Sequence, residues 1–333
     1  MKKLSVPYKS FILILLGGLL ATGCKKTSTT EQITAASDSG TQTIIASDEL
    51  NVNLEIGQAV DEAVAAMSIS NTTSGAPTNN VSLFLSPGVL VDTSQINTGL
   101  LYVYYFVGKS QDSATGRSGT VKTQLPVIAG HITPWKNAGT TATINFTNLN
   151  PTQDYEALYY RPVPNTSLWF IGSLTVTNYS GGLLKNLTPG DSLVERINGQ
   201  IQYSINDNVG QITLWTVNLH YSRVIGMTNT NHITITTRAD TNINSFNNVI
   251  YWGQDRYNDN LYATVTVPTF QDISSQARYN PLSGVTIIQN IKEPITSTCG
   301  VDLNGNPVLN GTPYGYKINW TYNSTAEQTV ISY

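Results

Sequence analysis

Charge is scarce in this chain. Charged side chains make up 12% of its 333 residues, against about 25% in an ordinary globular protein. The 18 basic and 21 acidic residues leave a net charge of -3, so the basic footprint needed for nucleic-acid binding is missing. Cysteine is nearly absent too, with only Cys24 and Cys299. If Cys24 is modified, Cys299 has no partner in the chain, and the fold must hold by its core alone. A chain this long can bury one large enough. The three histidines, His131, His220 and His232, stand at no zinc-ligand spacing and have no cysteine cluster beside them. There is no G-x-S-x-G elbow, no P-loop and no dinucleotide fingerprint, so no catalytic residue, metal or cofactor is assigned. No apolar run reaches the roughly 20 residues that span a bilayer.

Neutral polar residues fill the place of the missing charge, and the chain opens on a distinct segment. Lys2, Lys3 and Lys9 precede an apolar stretch at residues 11–20, followed by Ala21-Thr22-Gly23-Cys24. A basic start, a short apolar core and a small-residue cleavage site predict a secretory signal over residues 1–23. Residues 20–24 resemble the lipobox of bacterial lipoproteins. The resemblance implies diacylglycerol transfer to the Cys24 thiol, cleavage after Gly23 and acylation of the new N-terminus. Two or three acyl chains hold firmly where one holds marginally, so the expectation is a lipid-anchored envelope protein. Lys25 stands where Asp would signal inner-membrane retention, which favours the outer membrane. Without Lys2, Lys3 and Lys9 the 18 basic residues become 15 against 21 acidic ones, about -6.

Residues 24–48 are rich in Thr, Ser, Ala and Gln and read as a flexible tether. Ile56, Ala59, Val60, Ala63, Val64 and Met67 then recur at helical spacing on one face, with Asp61 and Glu62 on another. This predicts one short amphipathic helix that packs on a sheet, because its polar face is acidic and membrane-surface helices are usually basic. From about Val81 onward the pattern is β. Ile144 and Phe146, Leu174 and Val176, Ile233 and Ile235, and Leu261, Ala263, Val265 and Val267 alternate with polar residues, as strands with one wet face do. Asn198-Gly199 predicts a tight hairpin turn, and residues 206–210 predict another leading into 212–224. The expected fold is mainly β: an antiparallel sandwich or extended meander of roughly a dozen strands over residues 49–333, with a possible division near residue 231.

The 18 Tyr and 5 Trp pair flat apolar faces with polar tips, which suits sugar stacking and interfaces. Tyr251-Trp252-Gly253-Gln254-Asp255-Arg256-Tyr257 is the densest mixture. Gly253 suggests a turn there, and loops on rigid β scaffolds carry binding sites. Trp252, Gln254, Asp255, Arg256 and Tyr257, with Trp135 after Pro134, are the candidate ligand-binding residues. The competing reading makes these aromatics core and cross-strand pairs. Asp154, Glu156, Glu195, Asp255 and Asp259 are carboxylates from which a glycosidase pair would have to come. Asp302-Leu303-Asn304-Gly305-Asn306 begins like a calcium loop but lacks its closing Glu, and reads as a turn.

The order of parts resembles a broad group of uncharacterised bacterial lipoproteins with a lipobox, a Ser/Thr-rich tether, a short acidic helix and a long antiparallel β domain. The likeness rests on residues 20–26, 55–67, 116–121, 172–178 and 198–201, and it brings no functional residues. The expected role is a non-catalytic module that binds a glycan or another envelope protein. A hydrolase acting on envelope or external polysaccharide, and a structural or assembly lipoprotein, are the alternatives.

Overall fold

The computed structural model describes residues 39–70, 79–86, 89–105, 117–146, 158–163, 166–206, 212–230, 232–239, 241–243, 245–274, 280–290, 294–309 and 311–333. The expected signal peptide, Cys24 and the first part of the tether lie outside them. Residues 41–333 form one compact unit, with no division near residue 231.

A long helix α1 (Ser39–Ser70) is followed by a single turn α2 (Asn79–Ser82) and then by strands. These are β1 (Leu90–Asp92), β2 (Leu100–Tyr105), β3 (Arg117–Gln124), β4 (Val127–Ile128), β5 (His131–Ile132), β6 (Thr140–Phe146), β7 (Leu158–Val163), β8 (Thr166–Asn178) and β9 (Ser192–Asn206). The rest are β10 (Ile212–Asn229), β11 (His232–Arg238), β12 (Thr241–Ile243), β13 (Phe246–Gln254), β14 (Asn260–Asp272), β15 (Ser283–Asn290), β16 (Ile295–Val301), β17 (Gly315–Tyr322) and β18 (Thr325–Ser332).

Among the described residues sixteen strands make one antiparallel sheet, and β4 and β5 form a separate ribbon. Of the two expected arrangements the chain adopts the meander. The main path runs β1-β2-β3-β6-β8-β9-β10-β11-β14-β15-β16-β17-β18. β13 fits between β10 and β14 at one end, and β11 joins the same two strands at the other. The period-two pattern sets the faces. Ile144 and Phe146, Leu174 and Val176, and Ile233 and Ile235 are buried as alternation requires. Leu261, Ala263 and Val265 also point inward, but the register slips between Val265 and Val267, and Val267 turns out to 46% exposure. A bulge that inserts a residue reverses the side of everything after it.

Two expected turns are strand interiors. Asn198-Gly199 sits in the middle of β9, paired with β8 on one side and β10 on the other, and Gly253 lies within β13. Both glycines have positive φ in open, nearly extended backbone, 155° and 159°. A Cβ on Gly199 would stand 2.4 Å from the Ser173 carbonyl oxygen, and one on Gly253 would stand 2.2 Å from that of Thr216. The missing side chains let neighbouring backbones close up on the inner face, the glycine kink by which a sheet is curved. β9 and β10 pair with Asn206 opposite Ile212; apart from Asn206, the expected turn at 206–210 lies outside the described residues.

The sheet curls around α1. The helix begins at Ser39, so ten residues of the expected tether are helical. Gln42, Thr43, Ile45 and Ala46 are buried, and it is this burial, more than local propensity, that makes the segment helical. Ten consecutive residues, Ala59 to Ser68, are all buried, Asp61 and Glu62 among them. A stretch of helix buried at ten successive residues has no wet face there, and its acids must find partners inside. Glu62 accepts from the Tyr105 hydroxyl on β2 and from the Ser86 N–H at 3.1 Å. Asp61 accepts from Arg223 on β10. Near the other end, Asp48 takes two hydrogen bonds, of 2.5 and 2.7 Å, from Arg256 after β13. None of the described helices is long and apolar enough to cross a membrane.

Candidate functional site

The alternation that points Val217, Leu219, Tyr251, Leu261 and Ala263 at the helix turns their chain neighbours outward. Strand register then decides which of those neighbours meet. Asn145 lies opposite Ser173, Ser173 opposite Gln200, Gln200 opposite Asn218, Asn218 opposite Trp252, Trp252 opposite Tyr262, and Tyr262 opposite Gln289. This row crosses seven strands, about 29 Å at the usual spacing of ~4.8 Å. It holds amides, hydroxyls and two aromatic rings, and no charged side chain. Gln200 donates to the Asn218 amide oxygen at 3.1 Å, and Asn218 donates to the Trp252 carbonyl at 3.3 Å. Phe246 packs against Tyr262 with ring centroids 4.8 Å apart. A parallel row, Thr143, Thr175, Asn198 and His220, runs beside it. The Thr141 and Thr177 hydroxyls share a 2.8 Å hydrogen bond on the same face.

Of the residues singled out in the sequence, Trp252 is half-buried and belongs to this outer face, while Gln254 is exposed one pleat further along β13. Tyr257 is 45% exposed. Asp255 and Arg256 have structural duties. Asp255 is buried and accepts from the Tyr257 and Asp259 N–H groups at 2.8 and 3.0 Å, closing the turn between β13 and β14. Arg256 is held by Asp48 on the helix. Trp135 is buried at 1% exposure instead of lying open after Pro134. Its carbonyl accepts from the buried Asn178 amide at 2.9 Å, and its segment is bonded onto the end of β8 through Gly139 and Gly182. Proline fixed a turn there, but the turn folds inward.

The interior holds a second polar group, which the sequence reading passed over. Arg223 lies between two acids. It donates from Nη1 to Asp61, and from Nε to Glu195 at 2.8 Å, with Nη2 2.7 Å from the same Glu195 carboxylate. All three residues are buried. Burial alone would lower the Arg223 pKa, but the charges of Asp61 and Glu195 hold it above its ordinary value. Burial pushes Asp61 up to about 6 against the pull of Arg223. Glu49 is pushed up to about 8 by burial and by the adjacent Asp48 charge. The signal for this cluster was a charged residue in phase with apolar ones: Arg223 alternates with Tyr221 and Ile225.

Among the glycosidase carboxylates, Asp154 and Glu156 lie outside the described residues, Glu195 is engaged by Arg223, and Asp255 closes a turn. Asp302 likewise accepts from the Asn304 and Asn306 N–H groups, both at 2.8 Å, as a turn-former does. Among the described residues no three His, Cys, Asp or Glu side chains come together as metal ligands do. His232 meets Asp272 at 3.0 Å. The chain matches no protein-family model, no curated protein and no solved structure.

Proposed function

We propose that this chain is a lipid-anchored envelope protein, held through Cys24, that binds an uncharged glycan on the outer face of its sheet without transforming it. The observation carrying this reading is the Gln200–Asn218–Trp252–Tyr262 row. Amides in a row offer donors and acceptors to successive hydroxyls, aromatic faces suit the apolar faces of sugar rings, and the lack of charge suits a neutral chain. Rigid strands, not loops, hold the groups, so little ordering entropy is lost on binding. The resemblance to envelope lipoproteins supports the location.

The test is retention of the full chain on a panel of neutral polysaccharides, with acidic ones as controls. Trp252→Ala and Tyr262→Ala should each weaken binding about tenfold, or about 1.4 kcal/mol, with unchanged thermal stability. Equal retention of both variants and the parent would overturn the glycan reading. Protease treatment of intact cells tests the location, and release of the domain without lysis would place it on the outer surface. One observation favours the assembly alternative. Among the described residues β18 pairs only with β17, which leaves an edge that a partner strand can extend. Crosslinking of cysteines placed along β18 into another envelope protein would support that role.

A further inference from the structure

The packing around α1 opens along one side. Two adjoining cavities, of about 110 and 230 Å³, lie between the helix and the C-terminal half of the sheet, and both are bounded by Leu50, Leu54, Gln58 and Tyr316. Leu50, Leu54 and Gln58 recur at helical spacing and form one stripe. The helix residues lining the pair run from Ser47 to Asp61, about 21 Å of helix. The opening has a cause in the sequence. Gly57 faces it, and a Cβ placed there meets no atom within 4 Å. Glycine inside a helix is unfavourable by about 1 kcal/mol against alanine; here it relieves no close contact and leaves space instead. Across the opening, the sheet presents Thr237, Thr269, Gln271 and Thr286. Arg223, the only cation among the described residues of either lining, is already engaged by Asp61 and Glu195.

We propose that this slot binds a neutral single-chain acyl compound, an ester or amide. Its chain lies along Leu50 and Leu54, and its carbonyl meets the threonine and glutamine groups opposite. Shape selects the chain: two small volumes strung along the helix take a flexible thread better than a ring system. Charge selects the neutral head, because Asp61 and Glu195 already face one guanidinium and Glu55 lines the second cavity, so an anionic head would add a further negative group. The site is separate from the outer-face row, so either can fail alone.

The probe is the methyl ester of cis-parinaric acid, whose fluorescence rises in apolar surroundings, titrated into the full chain carrying Cys24→Ser. The expected result is saturable binding of one ester per chain, with the free acid at pH 8 bound at least about tenfold more weakly. That fold-change is one that head-group charge alone can produce. Gly57→Leu, which places a side chain in the opening, should abolish binding while the chain keeps its melting temperature. If that variant does not fold, Gly57→Ala has room and should weaken binding several-fold. A monoacylglycerol should displace the probe and a two-chain diacylglycerol should not. Undiminished binding in a folded Gly57 variant, equal binding of acid and ester, or displacement by the diacylglycerol would each overturn the proposal.

Discussion

Replacing Arg223 by methionine removes the cation between Asp61 and Glu195 and keeps much of its length. Both acids are buried, so neither can turn to water. Each must stay charged without a partner or take up a proton. Forcing a carboxyl of unfolded pKa about 4 to be neutral at pH 7 costs about 4 kcal/mol, from three units at 1.36 kcal/mol each. Removing one partner of a buried pair typically costs 3–5 kcal/mol. The wild type already bears part of this penalty, since Asp61 titrates at about 6, so the added loss at pH 7 should be about 4 kcal/mol and not twice that. At pH 5 one unit replaces three, and the deficit should shrink to roughly 1–2 kcal/mol. The assay is urea unfolding followed by tryptophan fluorescence at both pH values. Adding Asp61→Asn and Glu195→Gln to the Arg223→Met chain should recover most of the loss at pH 7. A deficit below about 1 kcal/mol at pH 7, or one that does not change with pH, would refute the view that the three groups form one dry electrostatic unit.

Other outcomes follow from neighbouring features. Glu49 has a folded pKa of about 8, raised by burial first and the Asp48 charge second. The folded state therefore holds a proton that the unfolded state releases above about 4.5, and stability should fall as pH rises to 8 and level off beyond; in Glu49→Gln the slope between pH 7 and 8, above the range in which Asp61 contributes, should be largely lost in a series of melting curves. Gly253→Ala should destabilise by at least about 2 kcal/mol, since its Cβ would stand 2.2 Å from the Thr216 carbonyl oxygen, as overpacking of close backbones does; chemical denaturation measures it. Cys299 is buried and its thiol pKa is pushed up to about 12 by burial, so at pH 8 it should react with a disulfide reagent far more slowly in the folded chain than in the unfolded one.

The strands were readable because alternation is a local signal with a local cause: the inward residues Ala142, Ile144 and Phe146 of β6, Phe170, Leu174 and Val176 of β8, and Ile233 and Ile235 of β11 are apolar in the sequence itself. The helix was readable over residues 55–67 only. Before that its buried residues include Gln42, Thr43, Asp48 and Glu49, and the Arg256 that holds Asp48 lies 208 residues away, where no pattern in the helix can point to it. Asn198-Gly199 misled because the same dipeptide that serves a tight turn also serves a kinked strand, and curvature of the whole sheet decides between them. Trp252 was found by composition, but its role in a row required the register with Asn218 and Tyr262. Trp135 went astray because proline marks a turn and does not say which way the turn faces.

In chain order α1 comes before every strand that covers it. Its partners Tyr105, Arg223 and Arg256 lie 43, 162 and 208 residues downstream. A helix that is buried in the finished fold, acids included, is therefore synthesised long before its cover exists, and the contacts that fix it are far from local. Such topologies close slowly, and exposed apolar segments invite misassembly while they wait. The helix that occupies the centre of the finished molecule is thus its exposed end during maturation. Correct folding of this chain depends on residues 39–70 staying apart from other chains until β10 and β13 are made.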